Sequence, residues 1–446
     1  MDEQVTPVVT ELLQQLIRNA CVNDGTEASG QEVRSADTLA GFLEGPGLDL
    51  ERYEPVPGRA SLVARIEGRR SGEVPSLLLM GHTDVVPVNP AGWDHDPFGG
   101  ELIDGEVWGR GAIDMLNLTS SMAVATRRLA DDGFRPDGDL VYLAVADEEA
   151  LGTYGAEHLA AHERDAVTTD YVITESGGIP IPSPTGPKLP VMVGEKGVHW
   201  RRLRVKGTPG HGSQPFRTDN ALVKAAEVVR RIHEYRPETQ VHEVFRAFLE
   251  GMGLPDEMVA PLLDPARVVE ACEELPPAMG RLFHACTHTT FAPTVLHAGQ
   301  KTNIIADQAD IELDIRGLPG EGADEVDAMV AEALGDLAGD VEVVRKCDDP
   351  ATESPMDTPL WDTLSRVTRP VYEDSALVPL MSVGATDARF FRRLGITSYG
   401  FGLFSTRLSF EDYGTMFHGD NERVDVDSLR LSTELWEHVA EDLLVA

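Results

Sequence analysis

Two hydrophobic patterns alternate along the first part of the chain. Three short runs are almost continuously apolar, which is typical of strands buried on both faces of a sheet: SLLLM (76–80), LVYLAVA (140–146) and DYVIT (170–174). The segment LTSSMAVATRRLADDG lies between the first two runs and places apolar residues such as Met122 and Leu129 on one helical face. Strands that alternate with helices predict an α/β fold with a mainly parallel sheet covered on both faces.

From about residue 196 the apolar residues follow a different pattern. In ADIELDIRG, apolar and charged residues alternate, as expected for a strand with one face in water. We assign this strand to a βαββαβ order together with VHWRRLRVKG, NALVKAAEVVRRI, DEVDAMVAEALGDL and VEVVRK, which supply two further strands and two helices. We therefore predict an inserted α+β domain at 196–347, which divides the α/β domain into segments 1–195 and 348–446. A mainly helical stretch from about 235 to 285 exceeds what such a domain needs, and the sequence assigns it no role.

Composition narrows the classes of protein. The 38 basic and 75 acidic residues give a formal net charge of −37, which disfavours nucleic acid and anionic membranes as partners. No apolar run reaches the ~18 residues of a membrane span, and the acidic start MDEQVTPVVTELLQQL predicts an amphipathic helix rather than a signal peptide. The four scattered cysteines predict free thiols. We expect a cytoplasmic enzyme or binding protein.

His82 and Asp84 stand at the end of the first strand-like run, in GHTD. Residues two apart in a strand point to the same side, so these two side chains leave the sheet together. One interpretation is a strand cap followed by a turn residue. The other is a metal ligand, His82, whose second ring N–H is held by the carboxylate of Asp84.

Other candidate ligands follow predicted strands or lie in loops. They are Asp114 in WGRGAIDM, Glu148 and Glu149 after LVYLAVAD, Glu175 after DYVIT, and His418 in MFHGDNERVD. Alone, Asp114 also fits a helix N-cap, and the acidic pair also fits a solvated surface. His82, Glu149 and Glu175, however, each follow a predicted strand at the same edge of the sheet, where sites in such sheets form. Imidazole and carboxylate ligands without thiolate suit zinc, or manganese and cobalt in its place.

Nine short motifs in order along nearly the whole chain carry a family resemblance. They are GHTD (81–84), GRGAIDM (109–115), DEE (147–149), TESGG (174–178), GEKG (194–197), GTPGHGSQP (207–215), DIRGLPG (314–320), GATDAR (384–389) and FHGDNE (417–422). This set resembles the M20 family of metallopeptidases and amidohydrolases, which includes aminoacylase-1, succinyl-diaminopimelate desuccinylase, acetylornithine deacetylase and glutamate carboxypeptidase.

The resemblance implies a role for each candidate in a centre with two zinc ions per subunit. His82 and Glu175 would hold one ion, Glu149 and His418 would hold the other, and Asp114 would bridge them. Asp84 would orient His82, and Glu148 would be the general base. Co²⁺ or Mn²⁺ would be possible substitutes for Zn²⁺.

The resemblance also gives the inserted domain a function. It implies that this domain is a lid that pairs two chains, and that His211 stabilises the oxyanion across the resulting homodimer interface. Asn303 and Arg316 resemble residues that hold a substrate carboxylate. A loop histidine and a solvated strand-face arginine are the alternatives for His211 and Arg316.

The implied reaction is hydrolysis of the amide bond of an N-acyl amino acid or a short peptide with a free carboxylate. Family members that are strict peptidases tend to have Asp where this chain has Glu175, and deacylases tend to have Glu, which favours deacylation. A dipeptidase or carboxypeptidase of the same family is the alternative. The alternative outside enzymes is a catalytically silent, metal-bound peptide-binding protein, against which the unliganded Glu148 argues.

Overall fold

The computed structural model describes residues 5–445, and its regular elements are as follows. The helices are α1 (Val5–Asn19), α2 (Val33–Leu43), α3 (Leu116–Asp131), α4 (Ala156–His162), α5 (Arg164–Val167), α6 (Ala221–Glu234), α7 (Glu243–Gly251), α8 (Asp256–Leu263), α9 (Val268–Glu273), α10 (Pro277–Thr287), α11 (Ala323–Leu334), α12 (Pro359–Thr368), α13 (Ala388–Arg393), α14 (Phe410–Met416) and α15 (Val426–Leu443). The strands are β1 (Asp49–Tyr53), β2 (Ser61–Ile66), β3 (Leu77–His82), β4 (Glu101–Ile103), β5 (Glu106–Trp108), β6 (Leu140–Val145), β7 (Tyr171–Thr174), β8 (Lys188–Glu195), β9 (Gly197–Val198), β10 (Arg201–Lys206), β11 (Gly210–His211), β12 (Thr290–Ala298), β13 (Ile304–Ile305), β14 (Gln308–Gly317), β15 (Val341–Arg345), β16 (Thr352–Glu353), β17 (Ala376–Ser382), β18 (Thr397–Gly400) and β19 (Arg423–Asp425).

The central sheet has the order β1-β2-β6-β3-β7-β18-β8-β16, with β17 also paired to β8. Strands β6, β3, β7 and β18 run parallel to one another, which confirms the predicted mainly parallel α/β architecture. Every residue of β3 and β6 is buried, as their continuous apolar sequences require. The carboxyl ends of β3, β6 and β7 therefore open onto one edge of the sheet.

Helices cover both faces of this sheet. On one face, α1, α3 and α15 form a large apolar core that includes Leu13, Met122 and Trp436. On the other face, α4, α5 and α13 contribute Leu159, Val167 and Phe391 to a smaller core. This double cover explains why the three strand-like runs contain almost no polar residue.

A second, five-stranded sheet lies within the segment from Gly197 to Arg345. Its order is β12-β14-β10-β15, with β9 paired to the end of β14, and neighbouring strands are antiparallel. Helices α6 and α11 supply Ala225 and Val330 to the core on one face, and the charged residues of β14 alternate with its buried residues.

Helices α7 to α10 interrupt this second domain in sequence but do not join its core. Phe245, Phe248 and Phe283 of these helices pack instead with Val378 and Leu380 of β17, at the end of the central sheet. The long helical stretch thus belongs to the central sheet by packing.

Two further expectations concern properties of the whole chain. All four cysteines are free, with Cys21, Cys272 and Cys286 buried and Cys347 partly exposed. Within residues 5–445, no helix is both long and apolar enough to cross a membrane. Helix α1 begins within the predicted amphipathic segment, whose first four residues lie outside the described part of the chain.

Candidate metal centre

The carboxyl edge of the central sheet brings the predicted ligands together. His82 is the last residue of β3, Glu149 lies in a 3-10 turn directly after β6, and Glu175 follows β7. Asp114 lies in the loop that enters α3, and His418 follows α14. His82, Glu149 and Glu175 thus meet because β3, β6 and β7 are parallel neighbours, and loops bring Asp114 and His418 to the same place.

Close packing between β3 and α3 fixes His82. A Cβ atom added to Gly81 would lie 3.0 Å from Cα of Thr119, so the helix could not approach a larger residue this closely. The Thr119 hydroxyl donates a hydrogen bond of 2.7 Å to the carbonyl of His82. The glycine of GHTD therefore permits the contact that holds the ligand at the strand end.

Asp114 is the centre of the cluster. Its Oδ1 lies 3.1 Å from Nε2 of His82, and its Oδ2 lies 3.0 Å from Nε2 of His418. Nε2 of His418 also lies 3.2 Å from Oε2 of Glu149. The side chains form two groups of candidate ligands, His82–Asp114–Glu175 and Asp114–Glu149–His418, with ligand atoms within 4.8 Å of one another in each group. Asp114 belongs to both groups.

The protonation of the cluster reflects this crowding of carboxylates. Burial raises the pKa of Glu149 to about 7, and the neighbouring Asp114 charge adds to the effect. Burial and then Asp114 also raise the pKa of Glu175. Hydrogen bonds with Asp114 and Glu149 raise the pKa of His418 to about 10. For His82, burial lowers the pKa, but the hydrogen bond with Asp114 and the Glu148 charge outweigh it. The cluster thus attracts positive charge.

The structure differs from the sequence-based expectation in how Asp84 contacts His82. Nδ1 of His82 lies 2.9 Å from the backbone carbonyl of Asp84, whereas the nearest carboxylate oxygen of Asp84 is 3.7 Å away. The expectation that the carboxylate accepts this ring N–H is therefore wrong in detail. The carboxylate instead accepts the backbone N–H groups of Glu148 at 3.2 Å and Glu149 at 3.1 Å. Asp84 therefore links the end of β3 to the turn after β6, because its carbonyl faces His82 and its carboxylate accepts the N–H groups of Glu148 and Glu149.

A network of buried polar side chains holds Asp84 in place. Asn23 donates hydrogen bonds to Asp84 at 2.8 Å and to Asp147 at 3.1 Å. Arg59 forms an ion pair with Asp147 at 2.9 Å and another with Glu32. All these side chains are almost completely buried. The sequence analysis did not identify them, because Asn23, Glu32 and Arg59 lie in segments without a metal-ligand pattern.

Glu422 supports the other side of the centre. Its Oε1 accepts the backbone N–H groups of Ile113 at 2.6 Å and Asp114 at 2.9 Å. Its Oε2 accepts the N–H of Gly111 at 3.0 Å and an N–H of Arg110 at 2.7 Å. Glu422 was part of the FHGDNE motif, but only the fold reveals that its target is the loop carrying Asp114.

A cavity of about 960 Å³ opens beside the centre. Asp114, Glu148, Glu149 and Glu175 line it, and so does Arg316 of the second domain. Arg316 binds Asp314 through Nε at 2.7 Å and Nη2 at 3.2 Å.

His211 and Asn303 are not among the residues that line this cavity. They are neighbours elsewhere on the second domain, where β11 pairs with β13 and the N–H of Gly212 donates to the carbonyl of Asn303 at 2.8 Å. Both residues are exposed. Within one chain, these two residues therefore do not line the cavity that the carboxylates of the metal centre line.

The donor set fits a divalent metal. The two groups offer imidazole nitrogens and carboxylate oxygens, which are ordinary ligands of Zn²⁺, Mn²⁺ and Co²⁺. Oε1 of Glu149 is buried and has no hydrogen-bond partner among the described residues, although a buried carboxylate oxygen normally has one. A cation beside Glu149 would satisfy this oxygen.

The chain is similar to several known proteins over most of its length. The N-fatty-acyl-amino acid synthase/hydrolase PM20D1 of Homo sapiens is 30% identical over 373 residues, which cover 80% of this chain and 72% of that relative. PM20D1 of Xenopus tropicalis is 28% identical over 397 residues, or 87% of this chain and 76% of the relative. The M20 family metallo-carboxypeptidase Sso-CP2 from Sulfolobus solfataricus has a similar structure, with a TM-score of 0.74 at 18% identity, covering 100% of this chain and 99% of that chain. The model of peptidase family M20/M25/M40 matches residues 78–442, and the chain therefore belongs to this family.

Proposed function

We propose that this protein is a metal-dependent hydrolase that cleaves the amide bond of an N-acyl amino acid with a free carboxylate. The observation that carries the proposal is the position of Asp114, whose two oxygens face two different imidazoles among buried carboxylates. The relatives named N-fatty-acyl-amino acid synthase/hydrolase support an N-acyl amino acid as the substrate.

Two metal ions per chain are part of this proposal. His82 and Glu175 would hold one ion, Glu149 and His418 would hold the other, and Asp114 would contact both. We propose Zn²⁺, because the ligands are nitrogen and oxygen without sulfur, with Co²⁺ or Mn²⁺ as substitutes. When bound, such ions polarise the scissile carbonyl and lower the pKa of water.

Glu148 moves the proton in the proposed reaction. It lines the cavity but belongs to neither ligand group, so its carboxylate is free to act on substrate. Burial and the nearby Glu175 raise the pKa of Glu148, which makes its carboxylate a stronger proton acceptor. Glu148 takes this proton from the attacking water and delivers it to the leaving amine.

Arg316 binds the free carboxylate of the substrate in this proposal. Asp314 occupies Nε and Nη2 of the guanidinium, which leaves Nη1 for another acceptor. Because Arg316 and the metal-binding carboxylates line one cavity, a single small molecule can reach both. Substrates whose carboxylate is amidated should therefore react poorly.

His211 completes the site from a second chain in this proposal. Strand β12 is at the edge of the second sheet, and Val295 and Leu296 on it are 42% and 44% exposed. Leu222 and Val223 of α6 are also exposed. An apolar surface beside a free strand edge favours pairing with a second copy. In such a homodimer, the exposed His211 would stabilise the oxyanion in the partner's cavity, with Asn303 beside it.

A substrate panel tests the proposed function. N-acetyl and N-succinyl amino acids, dipeptides and their carboxyl-amidated forms are compared at matched concentrations, with Zn²⁺ and with Co²⁺, by release of free amine. We expect faster cleavage of N-acyl amino acids than of dipeptides. Preference for dipeptides would instead make the protein a dipeptidase or carboxypeptidase. Metal-loaded protein that cleaves no amide in the panel would indicate a binding protein.

A further inference from the structure

The cavity beside the metal centre has both carboxylate and apolar lining residues. The carboxylates are Asp114, Glu148, Glu149 and Glu175. An apolar wall comes from four separate elements: Met192 of β8, Met279 and Leu282 of α10, Leu380 of β17 and Phe410 of α14, with the charged Arg281 of α10 and Glu411 of α14 among them. A substrate whose scissile bond lies at the carboxylates can thus place an apolar group against this wall.

The helical stretch α7–α10 is what brings α10 to the cavity. Helix α7 approaches β17 so closely that a Cβ atom added to Gly251 would lie 2.8 Å from Cγ1 of Val378. Phe283 of α10 belongs to the same buried core, in which Leu282 and Phe410 are partly buried. The core of the helical stretch therefore continues into the wall of the cavity.

Met279 is the most exposed apolar residue of this wall. It retains 38% of its exposed area, although it is a large apolar side chain, and it lines the cavity. It is therefore available to contact a bound molecule, as the apolar residues that line small-molecule sites do.

The size of the cavity favours a long substrate. A volume of about 960 Å³ lies at the upper end of the ~300–1,000 Å³ range of small-molecule sites. An N-acetyl amino acid would fill only the part between the carboxylates and Arg316. The remaining apolar wall would stay in contact with water, which is unfavourable.

We propose that α10, together with α14 and the end of β17, forms a pocket for a long, unbranched hydrocarbon acyl chain, with Met279 and Leu282 as specificity-determining residues. This inference rests on the proposed function, because it assumes that the scissile amide lies at the carboxylates. The carboxylate of the amino acid then contacts Arg316, and the acyl chain leaves in the other direction over α10. An apolar amino acid side chain is the competing occupant.

Acyl-chain dependence of kcat/KM tests the inference. N-acetyl-, N-butanoyl- and N-octanoylglycine are compared below their micelle concentrations, and N-acetylphenylalanine tests the competing occupant. Each buried methylene raises kcat/KM by up to about fourfold, equivalent to about 0.8 kcal/mol. We therefore expect N-octanoylglycine to exceed N-acetylglycine by at least about 100-fold. A rise with the amino acid side chain, but none with the acyl chain, would overturn the proposal.

A matched pair of variants locates the pocket. Met279→Glu places a charge on the wall, whereas Met258→Glu makes the same change on α8 at a residue that is 51% exposed and does not line the cavity. We expect Met279→Glu to lower kcat/KM for N-octanoylglycine at least about tenfold more than for N-acetylglycine, and Met258→Glu to change neither by more than about twofold. Met279→Trp should shift the preference to shorter chains. Equal effects of the two glutamate variants would overturn the assignment of α10.

A binding measurement separates this inference from the proposed function. Metal-loaded Glu148→Ala protein is titrated calorimetrically with N-octanoylglycine and with N-acetylglycine, so that turnover does not interfere. We expect much tighter binding of the octanoyl compound, lost in the additional presence of Met279→Glu and retained with Met258→Glu. If no amide is cleaved by the wild-type protein, the proposed function fails, and this titration still decides whether the pocket exists. Equal affinity for the two compounds would refute the pocket while leaving amide hydrolysis intact.

Discussion

Glu422 holds the backbone of Asp114 in place from a position more than 300 residues further along the chain. Its carboxylate is fully buried, and both oxygens accept hydrogen bonds from the loop that presents Asp114. Glutamine cannot replace Glu422, because its side-chain NH₂ group would face N–H donors that need an acceptor.

We expect Glu422→Gln to lower metal affinity by about 10- to 100-fold, the usual effect of losing a residue that orients a ligand. Competition with a chelator measures this affinity. Glu106→Gln is the control, because it makes the same change at a carboxylate that accepts a hydrogen bond from Arg423 at 3.2 Å in a partly exposed ion pair. Folded Glu422→Gln protein with wild-type metal affinity would contradict the orienting role.

Adjacent glutamates should give opposite results when each is changed to glutamine. Glu148→Gln should lower kcat by about 10²–10⁴-fold and retain all metal, because Glu148 moves a proton and belongs to neither ligand group. Glu149→Gln should lose metal, because Glu149 lies against His418. Elemental analysis and initial rates on the same preparations distinguish the two. Metal loss in Glu148→Gln, or activity within tenfold of wild type, would remove Glu148 from the proposed mechanism.

The sequence predicted those parts of the molecule in which local pattern and structure agree. The continuously apolar runs form β3, β6 and β7, and the alternating segment forms β14. These strands could be predicted because the hydrophobic pattern of a strand reflects which of its faces are buried. The same reasoning placed His82, Glu149 and Glu175 at one sheet edge, where the structure brings them together with Asp114 and His418.

The remaining features depend on contacts between distant segments. The periodicity of α7–α10 predicts helices but does not reveal that β17 is their partner. Arg59 resembles any surface arginine in sequence, yet it is buried between Glu32 and Asp147. The sequence also could not show that the backbone carbonyl of Asp84, rather than its carboxylate, lies within hydrogen-bond distance of His82, because residue types do not determine such distances.

The buried Lys196 makes the free energy of unfolding depend on pH. Its ammonium is buried against the carbonyls of Ala285 at 3.0 Å and His288 at 2.7 Å, and burial lowers its pKa from 10.5 to about 7. Below pH 7 the group is charged in both folded and unfolded chains, and folding must bury the charge. Between pH 7 and 10.5 the folded chain releases this proton while the unfolded chain keeps it. The free energy of unfolding therefore rises with pH in this window, by up to about 1.4 kcal/mol per pH unit.

Urea unfolding at pH 7 and pH 9.5 measures this effect as a difference between wild type and Lys196→Met. We expect the stability of wild type relative to Lys196→Met to increase with pH. Lys224→Met is the control, because Lys224 forms a partly exposed ion pair with Asp219. A difference between wild type and Lys196→Met that is constant with pH would contradict the lowered pKa.

Complementation between variants tests whether each active site needs two chains. His211 does not line the cavity of its own chain, so the proposed homodimer assigns it to the partner's cavity. His211→Ala and Glu148→Gln proteins should each be nearly inactive. When they exchange subunits at random, half of the dimers are hybrids, and each hybrid has one site with an intact Glu148 and an intact His211. We therefore expect activity to recover to about a quarter of the wild-type value.

The matched control mixes Glu148→Gln with Glu149→Gln, both of which damage the same cavity. A hybrid of these two has a defect in each of its cavities, and mixing should restore no activity. Native mass spectrometry with one isotopically labelled variant confirms that subunits have exchanged in both mixtures. Because the two mixtures differ only in whether the second lesion lies at His211 or in the metal centre, recovery in the first alone can come only from His211 acting across the interface. Exchange without recovery in the first mixture would mean that His211 acts within its own chain or has no part in catalysis.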